Sequence, residues 1–139
     1  LRVGYGVGDR ELISYLNRAR EPFNVNRPGQ LAAVAALRDL AHVARSLEVN
    51  RRGKEQIYRG LAVLGLTYTP SFANFILFAT PYPAPVVFRS LLRKGVIVRS
   101  ADIFGLPRQI RVTIGTEQEN EEFLKALAAV LEELKGGAE

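Results

Sequence analysis

At 139 residues, with 47% hydrophobic content and a formal net charge of +5, the chain has the size of one ordinary domain and can bury a core without disulfides or structural metal. It contains no Cys, which excludes disulfides, zinc-thiolate sites, iron–sulfur clusters and thiol nucleophiles and makes a cytoplasmic location the default expectation. No run approaches the roughly 20 apolar residues that span a bilayer, and Arg51-Arg52-Gly53-Lys54 is the only dense basic run, so neither a membrane nor a nucleic-acid partner is expected.

The first residue is Leu1 and Met is absent, so the chain reads as part of something longer. In chain order, two prolines in Glu21-Pro-Phe-Asn-Val-Asn-Arg-Pro28 hold an extended entry to a helix, with Pro28 suited to its first turn. Leu31, Val34, Ala35, Leu37, Leu40, Ala41 and Ala44 recur at helical spacing and predict one long helix over residues 27–50. A break at 50–53 separates it from a second helix carrying Ile57, Leu61 and Leu64, which Gly65 ends.

Residues 72–79, Phe-Ala-Asn-Phe-Ile-Leu-Phe-Ala, are apolar on both faces apart from Asn74 and predict a central strand covered on each side. Val87, Leu91 and Leu92 mark a short helix that starts near Ala84 and stops at Lys94-Gly95, followed by a strand over residues 96–99. Residues 110–114 form another strand, with Arg111 and Thr113 on the face opposite Ile110, Val112 and Ile114. Thr116-Glu-Gln-Glu119 is a capping box that opens a last helix, with Phe123, Leu124, Leu127, Ala128, Leu131 and Leu134 as its buried stripe and an end near Gly136-Gly137. The C-terminal half therefore reads β-α-β-β-α, an α/β arrangement, with the loop of residues 100–109 placed to cover a ligand.

Two arginines interrupt these strands: Arg99 ends Gly95-Val-Ile-Val-Arg99, and Arg111 sits in Ile110-Arg-Val-Thr-Ile114. A guanidinium among β-branched residues must be solvated or matched to an anion, and two so close in sequence can grip two anionic groups of one small ligand. The plain alternative is that both lie over a sheet edge or pair with a carboxylate such as Asp102. Asn24, Asn26 and Asn74 are within the chemistry of a substrate or cofactor contact, but are read as turn and backbone-satisfying residues. His42 lacks neighbouring metal ligands, and Asp9, Asp39 and Asp102 form no catalytic pair, so no metal site is expected.

Five segments occur in one order: Leu1-Arg-Val-Gly-Tyr-Gly6, Pro22-Phe-Asn-Val-Asn26, Pro70-Ser-Phe-Ala-Asn-Phe75, Gly95-Val-Ile-Val-Arg99 and Ile110-Arg-Val-Thr-Ile-Gly-Thr116 with Glu119-Asn120. Together they resemble the C-terminal part of the histidinol-phosphate aminotransferases, fold-type I enzymes that use pyridoxal 5'-phosphate. The resemblance implies that residues 1–26 end the large cofactor domain, residues 27–50 form a connecting helix, and residues 51–139 form the small domain, a mostly antiparallel sheet covered by helices.

It further implies that Arg2 contacts the cofactor phosphate, Arg111 the substrate α-carboxylate, and Arg99 the phosphate of histidinol phosphate. Amino transfer would run between glutamate and imidazole-acetol phosphate, leaving 2-oxoglutarate and histidinol phosphate, in a homodimer whose subunits complete each other's sites. The lysine that forms the Schiff base would lie about eight residues before Arg2. Lys54, Lys94, Lys125 and Lys135 stand in the wrong context, so this chain supplies no catalytic residue and the 139 residues alone would be inactive. Threonine-phosphate decarboxylase and aromatic aminotransferase are the enzymatic alternatives that this resemblance leaves open. A free-standing anion-binding module is the non-enzymatic one.

Overall fold

A computed structural model of the chain describes residues 2–136; Leu1 of the first segment and Gly137 at the expected helix end lie outside the described residues. The chain divides into two compact units, Leu1–Ala44 and Arg45–Glu139.

In the first unit, α1 (Arg10–Ala19) begins where the Asp9 carboxylate accepts from the backbone N–H groups of Glu11 and Leu12. This helix has no counterpart in the sequence reading; Leu12, Tyr15 and Leu16 on it are exposed and Ile13 is half-buried. Asn26 caps α2 (Arg27–Arg38), its side chain accepting from Gly29 N–H at 2.8 Å, and Pro28 sits in the first turn as expected. Asn24 accepts from the Arg20 guanidinium at 3.1 Å, a side-chain contact rather than the backbone role read for it.

The single helix expected over 27–50 is instead two. Asp39 leaves helical geometry at φ −91° and ψ 70°, and its carboxylate accepts from His42 N–H at 2.9 Å to start α3 (Leu40–Val63). Asp prefers this capping role to a helix interior, which is why the break falls there.

The break expected at residues 50–53 is absent, and α3 runs through it. Gly53 is there for space rather than for a turn: a Cβ on it would lie 2.6 Å from Ile114 Cγ2 and 2.8 Å from Asn120 Nδ2. Asn120 is buried and satisfied in that junction, donating to Gln56 Oε1 at 3.0 Å and accepting from Gly115 N–H at 2.9 Å.

The second unit is built on an antiparallel sheet of strand order β1-β2-β4-β3, formed by β1 (Tyr68–Thr69), β2 (Phe75–Ala79), β3 (Arg99–Ser100) and β4 (Gln109–Thr113). Two helices complete it, α4 (Ala84–Arg93) between β2 and β3 and α5 (Glu117–Gly136) at the end. The expected β-α-β-β-α order is present, with the two-residue β1 added at one edge. The capping box forms in both directions, Thr116 N–H donating to Glu119 at 2.7 Å and Glu119 N–H to Thr116 Oγ1 at 3.4 Å.

The core lies on one side of the sheet. Ile76, Phe78, Ile110 and Val112 point into it and meet Ile57 and Leu61 of α3, Val87 and Leu91 of α4, and Phe123, Leu127 and Val130 of α5. Phe78 and Phe123 pack edge to face, with ring centroids 5.9 Å apart.

β2 holds the central position expected of it, but it is not covered on both faces. Phe75, Leu77 and Ala79 are only half-buried, Phe72 is fully exposed, and Asn74 sits in the bend before the strand rather than within it. The sheet thus has a packed face and an open face, and the open face carries both strand arginines.

Candidate anion-binding site

Alternation along β4 buries Ile110 and Val112 and turns Arg111 and Thr113 to the open face, as the sequence pattern requires. Gly95 ends α4 with φ +80°, a left-handed conformation open to glycine, and the chain turns back so that Val98 is buried and Arg99 faces out. The register then sets Arg99 directly opposite Arg111 on one side, and Leu77 opposite Arg111 on the other. Ala101 N–H donates to Gln109 O at 2.9 Å. The Arg99–Arg111 pair lies two residues along from that bonded pair, so it too is a hydrogen-bonded pair, with Cα atoms about 5.5 Å apart.

Like charges directly opposite each other across a strand pair repel. Among the described residues neither Arg99 nor Arg111 has a carboxylate within ion-pair distance. Among the described residues Asp102 forms no ion pair with either of them and accepts from the Ser100 hydroxyl. Arg111 rests over the Phe75 ring, with its guanidinium carbon 5.1 Å from the ring centroid, a cation–π contact that orients the fork without cancelling its charge.

Two cavities meet at this pair. One of about 490 Å³ is walled by Phe88, Ile97, Asp102 and Ile103, the other of about 200 Å³ by Phe75, Leu77, Phe104 and Leu106, and Arg99 and Arg111 line both. The 102–104 segment that supplies Asp102, Ile103 and Phe104 is a short 3-10 turn, so the loop expected beside the arginines does form a wall of the site. Such a site suits a small ligand with two anionic groups and an apolar body.

Phe75 and the Ser100–Asp102 contact escaped the sequence reading. Reading β2 as one-sided would have put Phe75 and Leu77 on the arginine face. Arg2, the third arginine of interest, belongs to the other unit, where it is exposed and has no ion-pair partner among the described residues. Three lysines are engaged elsewhere: Lys54 donates to Ser71 O at 2.8 Å, Lys94 pairs with Glu133 at 2.6 Å, and Lys125 with Glu121 at 2.7 Å. No cluster of metal-ligating side chains occurs among the described residues, and no helix among them is long and apolar enough to cross a membrane.

Residues 1–127 match the family described as aminotransferase class I and II. The histidinol-phosphate aminotransferase of Moorella thermoacetica is 56% identical over 131 residues, which is 94% of this chain and 34% of that protein. That of Bacillus subtilis strain 168 is 48% identical over 131 residues, 94% of this chain and 36% of that protein. Among solved structures, the histidinol-phosphate aminotransferase of Sinorhizobium meliloti in complex with pyridoxal-5'-phosphate superposes with a TM-score of 0.73 at 25% identity, over 87% of this chain and 34% of its own. The chain spans about a third of the length of the curated relatives it matches. With the family match running through both strand arginines, this chain belongs to the aminotransferase class I and II family.

Proposed function

We propose that these residues are the C-terminal portion of a pyridoxal-phosphate-dependent aminotransferase that moves an amino group between glutamate and imidazole-acetol phosphate, as in histidine biosynthesis. The observation that carries this reading is the pair Arg99 and Arg111, facing each other on the open side of the sheet with no carboxylate partner among the described residues. The names of the relatives support the substrate.

In this reading Arg111 holds the glutamate α-carboxylate, for which a planar two-pronged donor is suited, and Arg99 holds the substrate phosphate. Arg2, an exposed guanidinium without a paired carboxylate among the described residues, fits the phosphate of the cofactor. Pyridoxal phosphate, when bound, supplies the electron sink for labilising the Cα–H bond. The Schiff-base lysine precedes Leu1, consistent with Lys54, Lys94 and Lys125 being engaged in other contacts. This segment therefore binds and orients substrate, and the acid–base group comes from elsewhere in the subunit. Residues 1–26 close the large domain, 27–50 connect, and 51–139 form the small domain of a cytoplasmic homodimer.

Substrate profiling of the full-length enzyme tests the reading. Amino transfer from histidinol phosphate to 2-oxoglutarate is expected; transfer to aromatic oxo acids alone, or decarboxylation of threonine phosphate, would reject it.

A further inference from the structure

Asp102 presents a paradox of electrostatics. Its carboxylate lines the same cavity of about 490 Å³ as Arg99 and Arg111, two cations without a counter-charge among the described residues, yet it pairs with neither. Its partner is the hydroxyl of Ser100, the residue next to Arg99 in β3. A hydrogen bond to a carboxylate is worth no less than an exposed ion pair, so one hydroxyl can decide where this carboxylate rests.

We propose that Ser100 is a positioning residue that holds Asp102 off Arg99, so that the arginine stays open to the phosphate of the substrate. The inference rests on the reading of Arg99 as the phosphate anchor. Asp102 is a built-in competitor for that anchor: it sits at the start of the 102–104 turn, three residues from Arg99 in sequence, and shares a cavity wall with it. While the Ser100 hydroxyl occupies the carboxylate, the arginine pair keeps its full positive charge for an incoming dianion. When the hydroxyl is removed, the carboxylate turns to the nearest cation, and a phosphate must displace it in order to bind.

The experiment is a double-mutant cycle in the full-length enzyme, with steady-state kinetics for histidinol phosphate and for glutamate, in which Asp102→Asn alone is expected to leave KM for histidinol phosphate within about twofold of wild type. Ser100→Ala is expected to raise KM for histidinol phosphate about fivefold with kcat unchanged. Ser100→Thr, which keeps a hydroxyl and suits a strand, is expected to retain the wild-type KM. The combination of Ser100→Ala with Asp102→Asn is expected to bring KM back to within about twofold of wild type, because the competing charge is gone.

An unchanged KM in Ser100→Ala overturns the proposal, as does a raised KM that Asp102→Asn fails to relieve, since Ser100 would then act through strand structure alone. Arg99→Ala serves as the separate control. If it leaves KM for histidinol phosphate untouched, the reading of the anchor fails, whatever the Ser100 variants do.

Discussion

Two arginine pairs in this chain behave in opposite ways. On α3, Arg51 and Arg52 surround Glu48, with Glu55 one turn further on: Arg51 reaches Glu48 at 2.9 Å and Glu55 at 2.7 Å, and Arg52 reaches Glu48 at 2.5 Å. On the sheet, Arg99 and Arg111 face each other with no carboxylate within reach among the described residues. The first cluster is dense in sequence and neutralised at helical spacing, as exposed helix faces are. The second is sparse in sequence and repulsive in space, an arrangement that gains from an anionic ligand. In the proposed reading, what marks the binding site is the lack of a counter-charge among the described residues, not the local density of basic residues.

The largest expected effect comes from removing the better-buried arginine of the sheet pair. Arg111→Ala in the full-length enzyme should raise KM for glutamate by roughly two orders of magnitude, the scale of about 2–3 kcal/mol for a charge-assisted contact. Arg111→Lys should recover only part of that loss, because an ammonium lacks the two-pronged geometry. A full recovery would reduce Arg111 to a point charge.

The contrast sharpens if the sheet pair is made to resemble the helix cluster. Leu77 faces Arg111 across the strand pair. Leu77→Glu should therefore supply the missing carboxylate and weaken binding of both anionic substrates about tenfold, while thermal unfolding reports whether the sheet is intact. If anion binding is unaffected in a folded variant, the open charge is not what recruits the ligand.

The smallest effect belongs to the helix. Hydrogen bonds from Arg51 and Arg52 lower the pKa of Glu48 from 4.5 to about 2. A carboxylate with a depressed folded-state pKa contributes stability above its unfolded value and loses it as pH falls through the folded one. The stability difference between wild type and Glu48→Gln should thus be steady at neutral pH and disappear between pH 4.5 and about 2. Being exposed to solvent, the cluster should give only a small difference, followed by urea unfolding, and no change in KM. A change in KM would mean that the helix cluster takes part in substrate binding after all.

Much of the second unit was legible in the sequence because its signals are local. The alternation around Arg111, the Thr116 and Glu119 capping box, and the Lys94-Gly95 helix end each depend on residues a few positions apart. The misreadings of Gly53 and β2 have the opposite cause, whereas that of Asp39 is local, a cap three residues long taken for a helix interior. Gly53 looks like a helix breaker until Ile114 and Asn120, distant in sequence, are seen pressed against it. Asp39 looks like one more polar residue on a helix until it leaves the helical backbone and caps the next one. β2 looks buried on both sides because composition reports apolar residues but not which face the helices cover.

The site divides in the same way. Arg99 and Arg111 stand out as guanidinium groups among valines and isoleucines, and residue chemistry alone marks them. Their face-to-face register is set by β3 pairing with β4 across a loop, and the Ser100 contact that occupies Asp102 depends on the turn in that loop. Neither follows from spacing.

The account turns on Arg99 and Arg111 serving two different anionic groups. The most direct measurement is the change in KM for histidinol phosphate and for glutamate when Arg99→Ala is introduced into the full-length enzyme. A rise of roughly tenfold or more for histidinol phosphate with glutamate nearly unchanged is expected; equal effects on both substrates, or none on either, would contradict it.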